Sequence, residues 1–243
     1  MFSIYKKDLT SYFYSPFAYI ICGLFLLIFS LSFIGSLSNM NSDTYVFSYS
    51  SVFYNNFFFF IFLIPALTMK TFADERKSGT EVLLVTSPLS SFQVVLGKFF
   101  SVMTIWMLMC GLSLVYPVLT AMNGTVYVSS FICAFIGFFA WGMICIAIGM
   151  LISSFTENTV VAAVISEAVM LLILMLDQLS TSLKYTNMKW ISDILIWFSN
   201  QERFTSFQNG IFRLSDLIFY VTMTAVFLGF TVISLEKRRW SRK

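Results

Sequence analysis

Residues 128–152, "VSSFICAFIGFFAWGMICIAIGMLI", decide the fold class, because they contain no charged side chain. A helix needs about 20 predominantly apolar residues to cross a hydrocarbon layer roughly 30 Å thick. Only helices and closed barrels satisfy every backbone N–H and C=O group inside lipid. The alternating apolar and polar pattern of barrel strands is missing here, so this stretch predicts a transmembrane helix.

The rest of the chain has the same character. Of its 243 residues, 58% are hydrophobic and only 11% are charged, and the mean hydropathy is +0.83, which excludes a soluble domain. Segments long and apolar enough to span lie at about 17–38, 50–69, 92–119, 128–152, 159–179 and 216–235. We therefore predict an all-α polytopic membrane protein with six transmembrane helices, in which residues 1–243 form a single transmembrane domain. The first segment exceeds the usual signal-peptide core of about 7–15 residues, which favours an uncleaved span.

The cations indicate how the chain is oriented. Eleven of the fifteen Lys and Arg residues lie before the first span, around the connection between the second and third spans, or after the last span. Loops 39–49 and 120–127 carry none. Because Lys and Arg collect in cytoplasmic loops, both termini are predicted to be cytoplasmic. Segment 180–215 is the exception, since it carries four cations among acidic residues but must be external in a six-span chain.

Two shorter segments are predicted to lie at the membrane surface. Residues 2–15, "FSIYKKDLTSYFYS", place aromatic residues at helical spacing around Lys6, Lys7 and Asp8, a pattern typical of an amphipathic interfacial helix. Residues 188–199 form an apolar helical stripe too short to cross the membrane, which predicts an external interfacial or re-entrant helix.

Residues 67–90, "LTMKTFADERKSGTEVLLVTSPLS", concentrate charge directly after the second span. Gly79 is suited to end a helix that continues through Ser78, because glycine tolerates the left-handed backbone conformation. Thr80 is then predicted to cap a short helix that Pro88 ends, and a capping box of Ser90 and Gln93 to start the third span. The stretch 82–85 is too short to span, so it must bury against the bundle or another protein.

A few polar residues fall inside predicted spans. Asn55 and Asn56 are expected to hydrogen-bond another helix or face a wet cavity, and Pro65 to bend or open the second span. Glu167 is costly in lipid and should face protein or water. A structural role between helices and a place in a transport pathway both stay open for it.

Several kinds of chemistry are absent from the sequence. There are no histidines, so His-based triads, metal sites and proton shuttles are excluded. The four cysteines lie in predicted spans without metal-type spacing. Gly97 and Lys98 lack the other residues of a phosphate-binding loop, and no basic surface suited to nucleic acid is formed. We expect no catalytic site, no metal and no nucleic-acid partner.

Residues 64–99, "IPALTMKTFADERKSGTEVLLVTSPLSSFQVVLGKF", resemble the segment between the second and third spans in permeases of the ABC type-2 export family. The resemblance is nearest to the branch with gliding-motility and nitrous-oxide-reductase-maturation permeases. Residues 203–240, "RFTSFQNGIFRLSDLIFYVTMTAVFLGFTVISLEKRRW", are similar to that family's closing pattern.

The resemblance implies a permease subunit of an ATP-driven exporter in a bacterial inner membrane. It implies two separate ATP-binding subunits that hold ATP and Mg, and a second permease copy. The absence of an internal repeat favours the same arrangement, since one six-span copy encloses only part of a pathway. A homodimer is the simpler form and a heterodimer the alternative. Membrane lipid and an auxiliary extracytoplasmic subunit are the other expected partners, and nothing identifies the cargo.

The resemblance also assigns the site. It places a coupling helix for the ATPase within residues 80–88. The motif in and around this helix is expected to supply charged contacts and packing positions. Its residues are Glu75, Arg76, Gly79, Thr80, Glu81, Val82, Leu83, Leu84, Val85 and Pro88. Two other functions stay open. One is a scaffold that grips an ATPase acting on an external partner. The other is a secondary transporter or channel, which predicts more intramembrane charges than Glu167 alone.

Overall fold

The computed structural model describes residues 1–38, 49–81, 89–123, 127–183 and 200–241. Within these ranges the ordered elements are helices, and no strand occurs. In chain order they are α1 (Phe2–Tyr14), α2 (Pro16–Ser38), α3 (Tyr49–Thr68), α4 (Lys70–Lys77), α5 (Ser91–Ser113), α6 (Val115–Asn123), α7 (Val128–Phe155), α8 (Thr159–Leu183), α9 (Asn200–Gln208) and α10 (Leu214–Ser241).

The all-α polytopic fold is confirmed. Among the described residues, five helical stretches are long and apolar enough to cross a membrane: Pro16–Ser38, Ser91–Met122, Val128–Phe155, Thr159–Leu176 and Leu214–Arg238. A sixth is obtained when the bent pair Val52–Phe59 and Ile61–Lys77 counts as one span. Each corresponds to a segment predicted from hydropathy.

The second span is bent by 54° between Phe59 and Ile61. Pro65 lies one turn beyond this point. It has no N–H to donate to the carbonyl of Ile61, and its ring crowds the preceding turn. The bend predicted for this span is therefore present, on the N-terminal side of the proline.

The third span, predicted at 92–119, is made of two consecutive helices. Helix α5 ends at Ser113, Leu114 forms a turn, and α6 continues from Val115. Pro117 cannot donate to the carbonyl of Ser113, so the hydrogen-bond ladder is interrupted at this point. The capping box at the other end is confirmed, since the Ser90 hydroxyl accepts from the Gln93 N–H at 3.3 Å and the Ser90 N–H donates to the Gln93 side chain at 3.4 Å.

Helix α7 lies at the centre of the bundle and packs against α3, α5, α8, α9 and α10. Most of its length is buried. Aromatic rings fill the space beside it, and the Phe138 ring lies 4.8 Å from that of Phe53. The central helix therefore touches most of the others, which matters for any movement passed through the bundle.

Helix α9 closes one end of the bundle. Its Phe204 and Phe207 are buried, and Arg203 pairs with Asp216 at the start of α10 at 3.2 Å. Asp216 lies in the first turn of α10, where the helix dipole favours a negative charge. The helix predicted at 188–199 lies outside the described residues, so its membrane-surface position stays a prediction.

Helix α1 and the C-terminal turns of α10 lie at the opposite end from α9. The Tyr12 hydroxyl of α1 donates to the Leu67 carbonyl at 2.9 Å, and Arg238 of α10 lies 3.6 Å from Glu81. We call this the charged end of the bundle; it comprises α1, residues 70–81, residues 156–158 and the last turns of α10. Helix α1 is present as expected, with Phe2 and Tyr14 exposed. Its location in a headgroup layer stays a prediction.

Candidate functional site

The charged end is built around α4 and the turn that follows it. Helix α4 carries the charged run, and Gly79 ends it with a φ of 72°, in the left-handed region that side chains disfavour. The Gly79 N–H donates to the Arg76 carbonyl at 3.1 Å. The glycine stop predicted from sequence is thus confirmed, and it turns the chain sharply at the tip of this segment.

One ionic cluster joins α4 to α1 and α5. The Lys98 side chain, only 2% exposed, lies 2.9 Å from Glu75 and 3.1 Å from Asp8, and donates to the Thr71 carbonyl at 2.7 Å. A buried ammonium requires such partners, because desolvation otherwise outweighs what the charge gains. Lys98 therefore holds three elements of the charged end together.

Lys7 adds a second cation to this cluster, 3.0 Å from Glu75. Partial burial acts to lower the pKa of Lys7, but the hydrogen bond and charge of Glu75, with the charge of Asp8, raise it overall. Because the Lys7 side chain is 62% exposed, this pair is screened and worth little to stability. Lys98 is therefore the principal cation of the cluster.

A second cluster joins α4 to the ends of α7 and α10. The Arg76 guanidinium lies 3.1 Å from Glu157 and 3.8 Å from Glu81, and Glu81 in turn lies 3.6 Å from Arg238. Arg76 also donates to the backbone carbonyls of Ser154 at 3.2 Å and Thr156 at 2.9 Å. Glu81 is buried between the two arginines.

The joint between α3 and α4 is held by a serine of α7. The Ser153 hydroxyl accepts from the N–H groups of Phe72 and Ala73 at 3.1 and 3.2 Å, and donates to the Met69 carbonyl at 3.0 Å. One turn earlier on the same face, Gly149 meets Thr68 so closely that a methyl group there would overlap the threonine side chain. The close approach of the two backbones needs a glycine at this position.

The predicted site residues divide into two groups in the structure. Glu75, Arg76 and Glu81 are engaged in ion pairs within the chain. Residues 77–80, which we call the tip, are exposed and include Gly79 and Thr80. The Thr80 hydroxyl lies 3.3 Å from the Glu75 carbonyl and 2.9 Å from the Ser78 hydroxyl.

The remaining residues of the predicted coupling site cannot be placed. Val82, Leu83, Leu84, Val85 and Pro88 lie outside the described residues, as does the short helix that Thr80 was predicted to cap. Their contact with an ATPase stays a prediction, as does that of the tip.

The polar residues of the spans have different surroundings. Asn56 is buried, donates to the Val52 carbonyl at 2.7 Å and accepts from the Ser32 hydroxyl of α2 at 3.2 Å, so it forms an interhelical contact. Asn55 is exposed on the outside of α3, and Glu167 is partly exposed on α8. Neither of these two side chains has a hydrogen-bond or ion-pair partner among the residues that the structure describes.

Sequence reasoning missed several members of the two clusters: Asp8, Lys98, Ser153, Glu157 and Arg238. Lys98 could have been recognised, since it is a charge within the apolar run 94–105 and must therefore be paired. No signal in the sequence distinguishes Ser153 from the other span serines, because its role depends on which helix lies opposite.

The sequence matches a known protein family over most of its length. A family described as "ABC-2 family transporter protein" matches residues 35–235. The match includes α3, α4, the tip and residues 203–235 of the closing pattern, and it begins after α1. No curated protein matches the chain.

Proposed function

The chain belongs to the ABC-2 transporter family and is a membrane permease component of an ABC transporter; we propose that it serves an ATP-driven exporter. In this proposal two ATP-binding subunits hold ATP and Mg and carry out hydrolysis, while the permease supplies the path. The gliding-motility and nitrous-oxide-reductase-maturation branch stays the sequence-based expectation within this family.

The observation that carries the proposal is the arrangement of residues 70–81. Their base is fixed to α1, α5 and α10 by ion pairs and to α7 by hydrogen bonds of Ser153 and Arg76, while the tip at 77–80 is exposed. A short element that is rigidly tied to several spans and exposed at its tip is suited to passing a displacement into them. We propose that the tip and residues 82–88 dock on the ATP-binding subunit, and that Glu75, Arg76 and Glu81 support that surface from behind.

We propose further that the charged end faces the cytoplasm of a bacterial inner membrane. Helix α1 and the last turns of α10 lie at this end with residues 70–81, which agrees with an even number of spans. The excess of Lys and Arg in these segments supports the cytoplasmic side.

A second permease copy is expected to cover part of the outer surface. Helices α3 and α8 pack against each other, and their outward-facing residues include Phe58, Phe62, Val164 and Leu171. Asn55 and Glu167 lie on the same two helices without partners among the described residues. Polar groups in lipid are costly, so a protein or an aqueous pathway is the favoured neighbour. We propose a homodimer, with a heterodimer as the alternative.

The test is co-expression of the chain with the ATP-binding subunit, followed by reconstitution into liposomes. Polar replacement of Val82 to Val85 should abolish co-purification of the ATPase and leave membrane insertion intact. Polar replacement of Phe2 and Tyr14, which are exposed on α1 at the same end of the bundle and outside the spans, provides the control. Unchanged co-purification in the first variant removes the docking assignment.

The same preparation separates the rival functions. ATP-dependent movement of an amphipathic or lipid-linked cargo supports export. ATP hydrolysis without movement of any cargo supports a scaffold, and cargo movement without the ATP-binding subunit supports a secondary transporter.

A further inference from the structure

We infer that α4 and α7 move as one unit, and that the displacement caused by the ATPase enters the bundle through α7, with Ser153 as the positioning residue that holds them together. The inference rests on the proposed function and deepens it. The chain connects residues 70–90 covalently to the second and third spans, but the contacts of the structure fix α4 to the fourth.

The first contact is the N-terminal end of α4. A helix leaves its first N–H groups without partners inside the helix, and these are normally capped by a side chain of the preceding residue. Met69 precedes α4 and supplies no side-chain cap. The hydroxyl of Ser153 takes this role from another helix, accepting from two N–H groups of α4 and donating to the Met69 carbonyl. One hydroxyl has one donor and two acceptor positions, so Ser153 uses all of them here.

The second contact is the C-terminal end of α7. The last carbonyls of a helix also lack partners inside it, and a cation is favourable there. Arg76 of α4 donates to the carbonyls of Ser154 and Thr156, on either side of the last residue of α7. Each helix therefore caps an end of the other, so separating them would expose donors and acceptors on both sides.

The third contact is steric. Gly149 and Ser153 lie one turn apart on the same face of α7, opposite the joint between α3 and α4. Thr68 occupies the space that a side chain at 149 would need. Because the backbones are this close, α7 has little room to slide along the joint between α3 and α4.

The attachment of α4 to the third span is different in kind. It runs through the Lys98 ammonium at the end of a flexible stem. An ion pair on a flexible stem tolerates small relative movement better than backbone-to-hydroxyl hydrogen bonds and a close backbone contact. Movement of α4 is therefore passed to α7 more directly than to the third span, and α7 distributes it to the helices packed around it.

The test measures movement of α7 in the assembled transporter. Spin labels on Ser38→Cys and Ser129→Cys report the distance between the far ends of α2 and α7, where both residues are exposed. Distances are recorded by pulsed electron paramagnetic resonance without nucleotide and after trapping with ATP and vanadate. The parent protein, which has neither engineered cysteine, is treated with the same spin label, and its signal is subtracted to remove the contribution of the four native cysteines.

The deciding variant is Ser153→Ala, with Ser113→Ala as control. Ser113 is also buried, but its hydroxyl donates only within its own helix, to the Cys110 carbonyl at 2.7 Å. We expect Ser153→Ala to retain ATPase co-purification, because the tip is unchanged, and to lose at least half of the nucleotide-dependent distance change. Ser113→Ala should keep the change.

The outcomes are distinguishable. A full distance change in Ser153→Ala overturns the inference and leaves the proposed function standing. Absence of ATPase binding and of any distance change in the unmodified protein overturns the proposed function and the inference together. If Ser153→Ala does not fold, Arg76→Gln removes the other reciprocal cap, and an unchanged distance response in that variant overturns the inference equally.

Discussion

Replacement of Lys98 by methionine should destabilise the protein strongly, although the lysine stands in an otherwise apolar run. Methionine has similar length and no charge, so the change removes the cation without opening a large cavity. The variant loses the contacts at 2.9 and 3.1 Å to Glu75 and Asp8, and the hydrogen bond to the Thr71 carbonyl. It also leaves two carboxylates close together, and among the described residues the exposed Lys7 is then the one cation paired with them.

The magnitude follows from the burial of the partners. Removing one member of a buried ion pair costs about 3–5 kcal/mol, because the other member stays buried without compensation. The side chains of Asp8 and Glu75 are 14% and 13% exposed, so they keep some contact with water. We therefore expect the lower end, about 3 kcal/mol in the free energy of unfolding. A further Glu75→Gln change should recover part of the loss, since it removes one of the two uncompensated charges.

The assay is reversible unfolding of the purified chain in mixed micelles, titrated with a denaturing detergent. Lys6→Met is the matched control, because Lys6 is an exposed residue of α1, and it should change the free energy by less than about 0.5 kcal/mol. A Lys98→Met variant within about 1 kcal/mol of the Lys6→Met control would refute the reasoning, because the cluster would then contribute no more than a surface charge.

Three further substitutions test other contacts. Gly79→Ala should cost about 1–2 kcal/mol, since φ is 72° there, and should weaken ATPase co-purification in a pull-down; full recovery of the ATPase would contradict the role of the turn. Gly149→Ala should cost about 1–3 kcal/mol by overlap with Thr68, whereas Gly111→Ala, with open space around it, should stabilise by up to about 1 kcal/mol in detergent unfolding. Equal changes in the free energy of unfolding for these two variants would show that Gly149 is not in close contact with Thr68. Asn56→Leu should cost about 0.6 kcal/mol through loss of its bond to α2, and a more stable variant would show that the bond contributes nothing.

The sequence by itself determined the membrane fold and several of the positions at which helices begin and end. Hydropathy located the spans because the bilayer thickness sets a minimum apolar length that each helix must meet independently of the others. Gly79 and the capping box of Ser90 and Gln93 were predictable for a similar reason, since they satisfy backbone conformation and hydrogen bonds within a few residues. The motif in residues 64–99 also indicated the family that the comparison then showed.

The interior connections of the charged end were decided only by the tertiary structure. Asp8 and Lys98 are 90 positions apart, and Ser153 is 81 positions from Phe72, so no local pattern links them. A charged residue in a sequence looks the same whether it faces solvent, a partner protein or a buried counter-ion. The sequence motif predicts an external contact for Glu81 and Arg76, but they are paired inside the chain because helix packing brings the ends of α7 and α10 close to them. Which polar groups meet depends on which helices lie side by side, and that is a property of the assembled bundle.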